Sequence, residues 1–148
     1  MFSRDCPGSL HVVHTPVRRE DIPDELIHGL QKRGAQYIEA YRTDLVNNTD
    51  RPVRGVWFDG FVPHAGRWVA SNVRDKVLRA NDFLDWYDGD DMTPEGWIRP
   101  GGTASCHVNW HYTQAPDGAL MKWAYVAVDA QGYDSLPRPS CRAARSSD

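Results

Sequence analysis

The chain has 148 residues and a net charge of −3, with 41% hydrophobic and 25% charged residues. This length is typical of one domain, spanning 1–148, that buries a sizeable core. The negative balance argues against a nucleic-acid partner, and no apolar run reaches the roughly 20 residues of a transmembrane helix. Six tryptophans predict a Trp-rich core or an aromatic-lined groove.

The amino-terminal half predicts one helix and one buried strand. An acidic start with Pro23 in the first turn predicts a helix near 22–33, and Gly34 is a typical residue for its end. Residues 35–46 fit helical and strand spacing equally well, so both interpretations stay open. Residues 53–62 contain consecutive large apolar side chains, which predicts a strand buried on both faces.

The carboxyl-terminal half predicts a second helix and a long hairpin. Ser71 is a suitable cap for a helix over 72–87. Alternating residues in 103–113 and an apolar return segment at 119–129 flank a turn rich in Pro, Asp and Gly. The predicted fold class is therefore α+β: a single domain with two helices and an antiparallel sheet dominated by this hairpin.

The alternation in 103–113 also predicts which side chains share a face. Cys106, Val108 and Trp110 are expected to point inward, opposite a polar row of Ser105, His107, Asn109 and His111. The two histidines have the spacing of a helical metal motif. On a strand they lie roughly 13 Å apart, too far for one ion, so no metal site is predicted.

The cysteines predict a secreted protein with one disulfide. Cys6 and Cys141 lie in turn-rich sequence near the termini, whereas Cys106 lies on the apolar face of a strand. A Cys6–Cys141 bridge would explain the odd count, with three unrelated thiols as the alternative. The amino terminus lacks a signal-peptide core, which leaves a cytoplasmic protein or the mature form of a secreted one, and of these two we expect the mature secreted form. Asn47-Asn48-Thr49 matches a glycosylation acceptor.

Three segments resemble the ADP-ribosylating toxins of the pertussis and cholera type. Tyr41-Arg-Thr-Asp44 is similar to the opening strand of that family, and Arg51 to Pro63 is similar to the R-x-P and G-F-x-P stretch that follows. Trp123 to Asp134 is similar to the strand after the family's catalytic hairpin. Together these segments cover about a quarter of the chain.

The resemblance implies NAD as the cofactor and assigns roles to several residues. Arg42 would order the site and contact the NAD phosphates, for which a planar and always-charged guanidinium is suited. Asp44 and Trp57 are the further candidates for cofactor binding. Ser105, in the strand that would shape the nicotinamide pocket, and His107 join Arg42 as the catalytic candidates.

One family feature is missing from the chain. The catalytic glutamate of these toxins comes late in the sequence, whereas no glutamate follows Glu95 here. Without that carboxylate, the positive charge that develops on the sugar in the transition state is not compensated. The resemblance therefore implies an inactive or incomplete relative that binds NAD in a Trp-lined groove.

Two other function classes fit the same sequence. One is a cone-shaped pocket of the dehydratase and isomerase type, holding a small molecule near His107 and His111. A helix at 35–46 favours the cone, and a strand favours the toxin-like fold. The other is a secreted, Trp-rich module that binds glycans or lipids through exposed aromatic rings, for which exposed tryptophans are the indicator.

Overall fold

The computed structural model describes residues 10–72, 74, 76–113, 121–130 and 134–135. In chain order its elements are β1 (Leu10–Pro16), a 3-10 turn (Arg19–Asp21), α1 (Asp24–Lys32), β2 (Tyr37–Asn47), β3 (Val53–His64), β4 (Arg67–Ala70), β5 (Leu78–Arg79), α2 (Ala80–Trp86), β6 (Trp97–Ile98), β7 (Thr103–Thr113), β8 (Lys122–Asp129) and β9 (Asp134–Ser135). The predicted α+β class with two helices is confirmed.

The strands form two antiparallel sheets. Sheet A has the order β1-β2-β7, and sheet B has the order β4-β3-β8-β9, with β5 and β6 also paired to β3. One hydrophobic core joins them, because buried side chains of β2 and β7 cluster with those of β3, β8 and α2. A smaller cluster lies between α1 and the other face of sheet A.

Phe58 is at the centre of the main core. Its ring makes edge contacts with Phe83, Trp86 and Tyr87 and stacks on Tyr125 at a centroid distance of 5.9 Å. Such aromatic pairs add stabilisation beyond the area they bury. The core is rich in phenylalanine and tyrosine rather than in tryptophan, because Trp123 alone of the six tryptophans is buried.

The predicted hairpin is wrong in its pairing, although both strands exist. β7 is hydrogen-bonded to β2 in sheet A, whereas β8 lies between β3 and β9 in sheet B. A turn signal predicts only that the chain reverses. Here the two strands belong to different sheets, and residues 114–120 between them lie outside the described part.

The second helix is much shorter than predicted. Asn72 uses its side chain locally, donating to the Lys76 carbonyl and accepting from the backbone N–H of Arg74, which competes with helix formation. The helix instead begins at Ala80, where the Asp82 carboxylate accepts from the N–H of Arg79 at 2.8 Å. The first helix agrees with its prediction within two residues at each end.

Residues 35–46, left open by the sequence, contain most of strand β2. This strand has strict in-out alternation near its end, where Thr43, Leu45 and Asn47 are fully buried. The predicted strand at 53–62 is confirmed as β3, although one of its faces is only half-buried. Cys6 and Cys141 lie outside the described residues, whereas Cys106 is a buried free thiol.

A β-bulge in β7 reverses the alternation of that strand. Thr43 pairs with Cys106, but Tyr41 pairs with Asn109, so two residues of β7 oppose one residue of β2. Asn109 and His111 therefore share the inner face with Cys106. The prediction that Val108 and Trp110 point inward beside Cys106 is wrong, because both pack in the second cluster, towards α1.

Asn47 joins the turn after β2 to the loop before β7. Its side-chain N–H groups point to the carbonyls of Arg51, Ile98 and Arg99 at 2.7, 3.0 and 3.2 Å, and its oxygen accepts from the backbone and hydroxyl of Thr49. Because the amide is fully buried, it is not available for glycosylation in the folded protein. The acceptor tripeptide is a structural element.

We expect Asn47→Ala to lower the free energy of unfolding by about 2–4 kcal/mol, since it leaves several buried polar groups without partners. The neighbouring, exposed Asn48 provides a matched control, and Asn48→Ala should change stability by less than about 0.5 kcal/mol. Urea denaturation of both variants measures the difference. Equal effects of the two substitutions would contradict the structural role of Asn47.

Candidate functional site

A groove of about 920 Å³ lies where the carboxyl-terminal half of β7 faces the end of sheet B. Such a volume is within the range of small-molecule pockets. Its walls combine aromatic rings, amides, imidazoles and guanidinium groups. The lining residues are Arg33, Val62, Pro63, Ser71, Asn72, Arg74, Asp85, Trp86, Cys106, His107, Val108, Asn109, Trp110, His111, Tyr112, Met121 and Trp123.

Polar side chains of β7 reach this groove because of the bulge. Asn109 is 4% exposed, donates to Thr43 Oγ1 at 3.2 Å and accepts from the N–H of Trp110 at 3.0 Å. His111 is also buried, with its Nε2 atom 3.4 Å from a carboxylate oxygen of Glu39. Both side chains are held in place by neighbours in sheet A.

Tyr41 links the two sheets beneath the groove. Its hydroxyl accepts a hydrogen bond from Trp123 Nε1 at 2.6 Å and donates to the Met121 sulfur at 3.5 Å. Its ring lies 5.1 Å from the His14 ring and 5.8 Å from the His111 ring. Burial raises the pKa of Tyr41 well above its ordinary value, so the hydroxyl stays protonated and keeps its donor role.

His14 extends this polar interior to β1. Its Nδ1 atom is 2.8 Å from Thr43 Oγ1, which also accepts from Asn109. Burial lowers the pKa of His14 to about 4, so the imidazole is neutral at neutral pH. A neutral Nδ1 can accept the Thr43 hydroxyl proton, which completes a chain of hydrogen bonds from β1 to the groove.

The outer walls carry aromatic rings and two arginines. The Arg74 guanidinium contacts Asp82 at 2.5 Å and Asp85 at 3.3 Å and lies 5.8 Å from the Trp86 ring centroid. Arg33, the C-terminal cap residue of α1, is exposed at another part of the wall. A planar ring can pack on the tryptophans while an anionic group approaches a guanidinium.

The predicted catalytic residues Arg42 and Ser105 are in contact. Arg42 Nη2 donates to Ser105 Oγ at 3.1 Å, and the Ser105 hydroxyl donates to Asp44 Oδ1 at 2.5 Å. Arg42 Nε also donates to Asp44, at 2.9 Å. Burial alone would raise the pKa of Asp44, but the hydrogen bonds from Ser105 and Arg42 outweigh it and lower that pKa.

His107 and Trp57, the other predicted site residues, lie in different places. His107 lines the groove, is largely exposed, and has Nε2 at 2.8 Å from Asp88 Oδ1. Trp57 belongs to sheet B, where its ring lies 6.4 Å from that of Phe61. Arg42, Asp44, Ser105 and His107 therefore cluster on sheet A, and Trp57 does not join them. Their functional roles stay predictions.

Cys106 is not activated as a nucleophile. Burial raises the pKa of its thiol to about 11, so the reactive thiolate is scarce at neutral pH. Within the described residues, no group of three or more His, Cys, Asp or Glu side chains is arranged to hold a metal ion. No helix in that part of the chain is long and apolar enough to cross a membrane.

Sequence reasoning missed most of the groove residues. Arg33 follows a helix and Trp86 ends one. These residues are far apart in the sequence and meet only through sheet packing. The polar row containing Asn109 and His111 was the one signal that pointed to this region.

The comparisons with known proteins give little further information. No protein-family model matches the chain, and no curated protein is similar to it. Among solved structures, the chain is similar to a Bordetella pertussis protein with the provisional name ApaA. The two are 16% identical with a TM-score of 0.48, over 87% of this chain and 86% of the other. A likeness of this strength supports no functional inference.

We expect acidification to destabilise the protein through His14. Its folded-state pKa of about 4 is below the ordinary 6.5, so stability is complete above pH 6.5 and is lost as pH falls from 6.5 to 4. The loss should be about 3 kcal/mol. In His14→Gln, which cannot titrate, the free energy of unfolding should fall that much less over the same pH interval.

His11→Gln is the matched control, because His11 is on the same strand but on the opposite face. It should keep the pH dependence of the wild type, measured by chemical denaturation at several pH values. If the His14 and His11 variants behave alike, the buried imidazole is not the origin of the acid sensitivity.

Proposed function

We propose that this protein is a non-catalytic binding domain whose groove takes a nucleotide, with NAD as the first candidate ligand. The observation that carries the proposal is the composition of one cavity. Tryptophan and tyrosine rings, a buried amide and two guanidinium groups line the same space of about 920 Å³. A nucleotide needs these three kinds of partner for its base, its polar edges and its phosphates.

The aromatic wall supports a ring-containing ligand. Trp110 and Tyr112 are stacked, with centroids 6.4 Å apart and planes 27° apart. Tyr112 is 38% exposed, so it offers surface to a ligand, whereas Trp123 is buried. Stacking of a base on such rings contributes about 1–3 kcal/mol.

The charges of the groove support an anionic ligand at Arg33. Arg74 is already engaged by Asp82 and Asp85, and this pairing reduces the positive charge it offers. Arg33 makes no ion pair with any residue in the described part of the chain. A phosphate approaching Arg33 would therefore gain a charge-assisted hydrogen bond without breaking an internal pair.

Two features support binding without catalysis. The Arg42, Asp44 and Ser105 side chains hydrogen-bond to one another, and Ser105 donates its proton to Asp44. The hydrogen bonds to Asp44 lower its pKa, which makes this carboxylate a weak base for activating the Ser105 hydroxyl. Among the described residues that line the groove, Asp85 is the carboxylate, and it is paired with Arg74. Neither group is poised to stabilise the positive charge of a breaking glycosidic bond.

Calorimetric titration with NAD tests the proposal. We expect the wild type to bind with a Kd of about 10–100 μM, a modest affinity for an open groove. Arg33→Ala should weaken binding about tenfold by removing a charge-assisted contact. Arg42→Ala should leave the affinity unchanged, because Arg42 is not among the groove-lining residues.

A matched tyrosine pair tests the stacking wall. Tyr112→Ala should weaken NAD binding about tenfold, and Tyr37→Ala should not, although Tyr37 is similarly exposed at 43%. No binding by the wild type at millimolar NAD would refute the proposal. A loss of binding in Arg42→Ala but not in Arg33→Ala would move the site to the toxin-like cluster on sheet A.

A further inference from the structure

The outer face of sheet B departs from the usual pattern of an antiparallel sheet. Trp57 pairs with Val126 and Phe61 pairs with Lys122, so these side chains share the face that points away from the core. A solvent-facing sheet surface is normally polar. Here most positions on it are apolar and only partly buried; they are Trp57, Phe61, Ala124, Val126 and Val128.

This face continues onto an exposed hairpin formed by β3 and β4. His64 pairs with Arg67, so Ala65 and Gly66 form a two-residue loop with φ values of 48° and 75°. Positive φ at both positions is the geometry that matches the twist of a hairpin and makes it rigid. Every residue from 63 to 70 is exposed, and Trp68 is 43% exposed.

The charges on this surface are positive, although the chain as a whole carries −3. Lys122 is paired with Phe61 and Arg79 with Trp57, so both belong to the face that carries these rings. Arg67 is paired with His64 and lies at the exposed tip of the hairpin, on its other side. Asp59 also belongs to β3, but it is 5% exposed and accepts hydrogen bonds from the Gly60 N–H and from Asn72. The exposed groups are therefore aromatic, aliphatic and cationic.

The charges and the ring contacts of this surface favour a lipid bilayer over a second copy of the chain, a nucleic acid or a glycan. A second copy of the chain would bring Lys122 and Arg79 of both copies towards each other, which is unfavourable. Lys122 Nζ lies 5.3 Å from the Trp68 ring centroid and covers one face of that ring. A base or a sugar that stacks on this ring is left with its other face only. A bilayer interface accepts an indole beside an ammonium group, because headgroup phosphates lie next to the acyl chains.

We infer that the β3–β4 hairpin and the adjoining face of sheet B dock on an anionic phospholipid bilayer. Trp68 enters the interfacial layer, Lys122 beside it contacts lipid phosphates, and Arg67 reaches them from the tip of the hairpin. The groove opens beside the base of this hairpin, since Val62 and Pro63 line it. Docking would thus hold the groove close to the membrane surface.

Vesicle co-sedimentation tests this inference with the whole chain. We expect binding to phosphatidylcholine vesicles containing about 30% phosphatidylserine and little binding to pure phosphatidylcholine. Trp68→Ala should reduce the partition coefficient about tenfold, and Arg67→Gln about fivefold. Raising the salt concentration to about 0.5 M should also release the protein. The NAD affinity of both variants should be unchanged, because neither side chain lines the groove.

Tyr112→Ala is the matched control, since Tyr112 is another exposed aromatic residue, at 38%, on the other sheet. It should bind vesicles like the wild type, and thermal unfolding should verify that all variants are folded. The inference fails if the wild type does not bind the anionic vesicles, or if Trp68→Ala binds them equally well. A dimer in sedimentation velocity that Trp68→Ala dissociates, or binding of single-stranded DNA or heparin that it abolishes, would also overturn it.

Discussion

The β-bulge in β7 is the constraint on which the groove and both packing clusters depend. One extra residue opposite Arg42 changes the face of every side chain that follows it. Before the bulge, Ala104 and Cys106 supply the main core; after it, Trp110 packs towards α1 while Asn109 and His111 turn inward. Without the bulge, a bulky indole would occupy the interior and two polar groups would face the helix.

The bulge also explains why the alternation of this strand predicted its existence but not its faces. Ala104, Cys106, Val108 and Trp110 are all apolar and alternate with polar residues along β7. The first two pack in the main core, and the last two pack in the cluster beside α1. The regular alternation of apolar residues in β7 therefore covers side chains on both faces of sheet A, although it suggests a single face. The sequence also did not reveal that β7 pairs with β2. The pairing of strands in a sheet depends on contacts across the whole chain rather than on the turn that follows a strand.

Two predictions from local sequence are wrong because an asparagine side chain hydrogen-bonds to backbone groups of a loop. One had predicted a helix at that position, and the other had predicted an exposed acceptor site. Asn72 was expected inside a helix, but its amide closes a turn and also donates to Asp59. Asn47 matched a surface acceptor motif, yet it binds three carbonyls in the interior. In both cases the amide stabilises a non-repeating loop, which no periodic signal describes. The contact between Arg42 and Ser105, by contrast, follows from side chains on paired strands.

Charged groups and aromatic rings are distributed unevenly over the fold, and this distribution supports the two proposed roles, nucleotide binding and membrane docking. The net charge of −3 is a sum over regions that differ, with acidic groups near α2 and cations on the outer face of sheet B. The tryptophans are similarly divided, because Trp123 is in the core, Trp110 borders the groove and Trp68 is on the hairpin. β3 is apolar on both sides, since one side packs on Tyr125 and the other carries Trp57 and Phe61. A strand of this kind supports the core and an outward-facing contact surface at the same time, and composition alone does not distinguish the two uses.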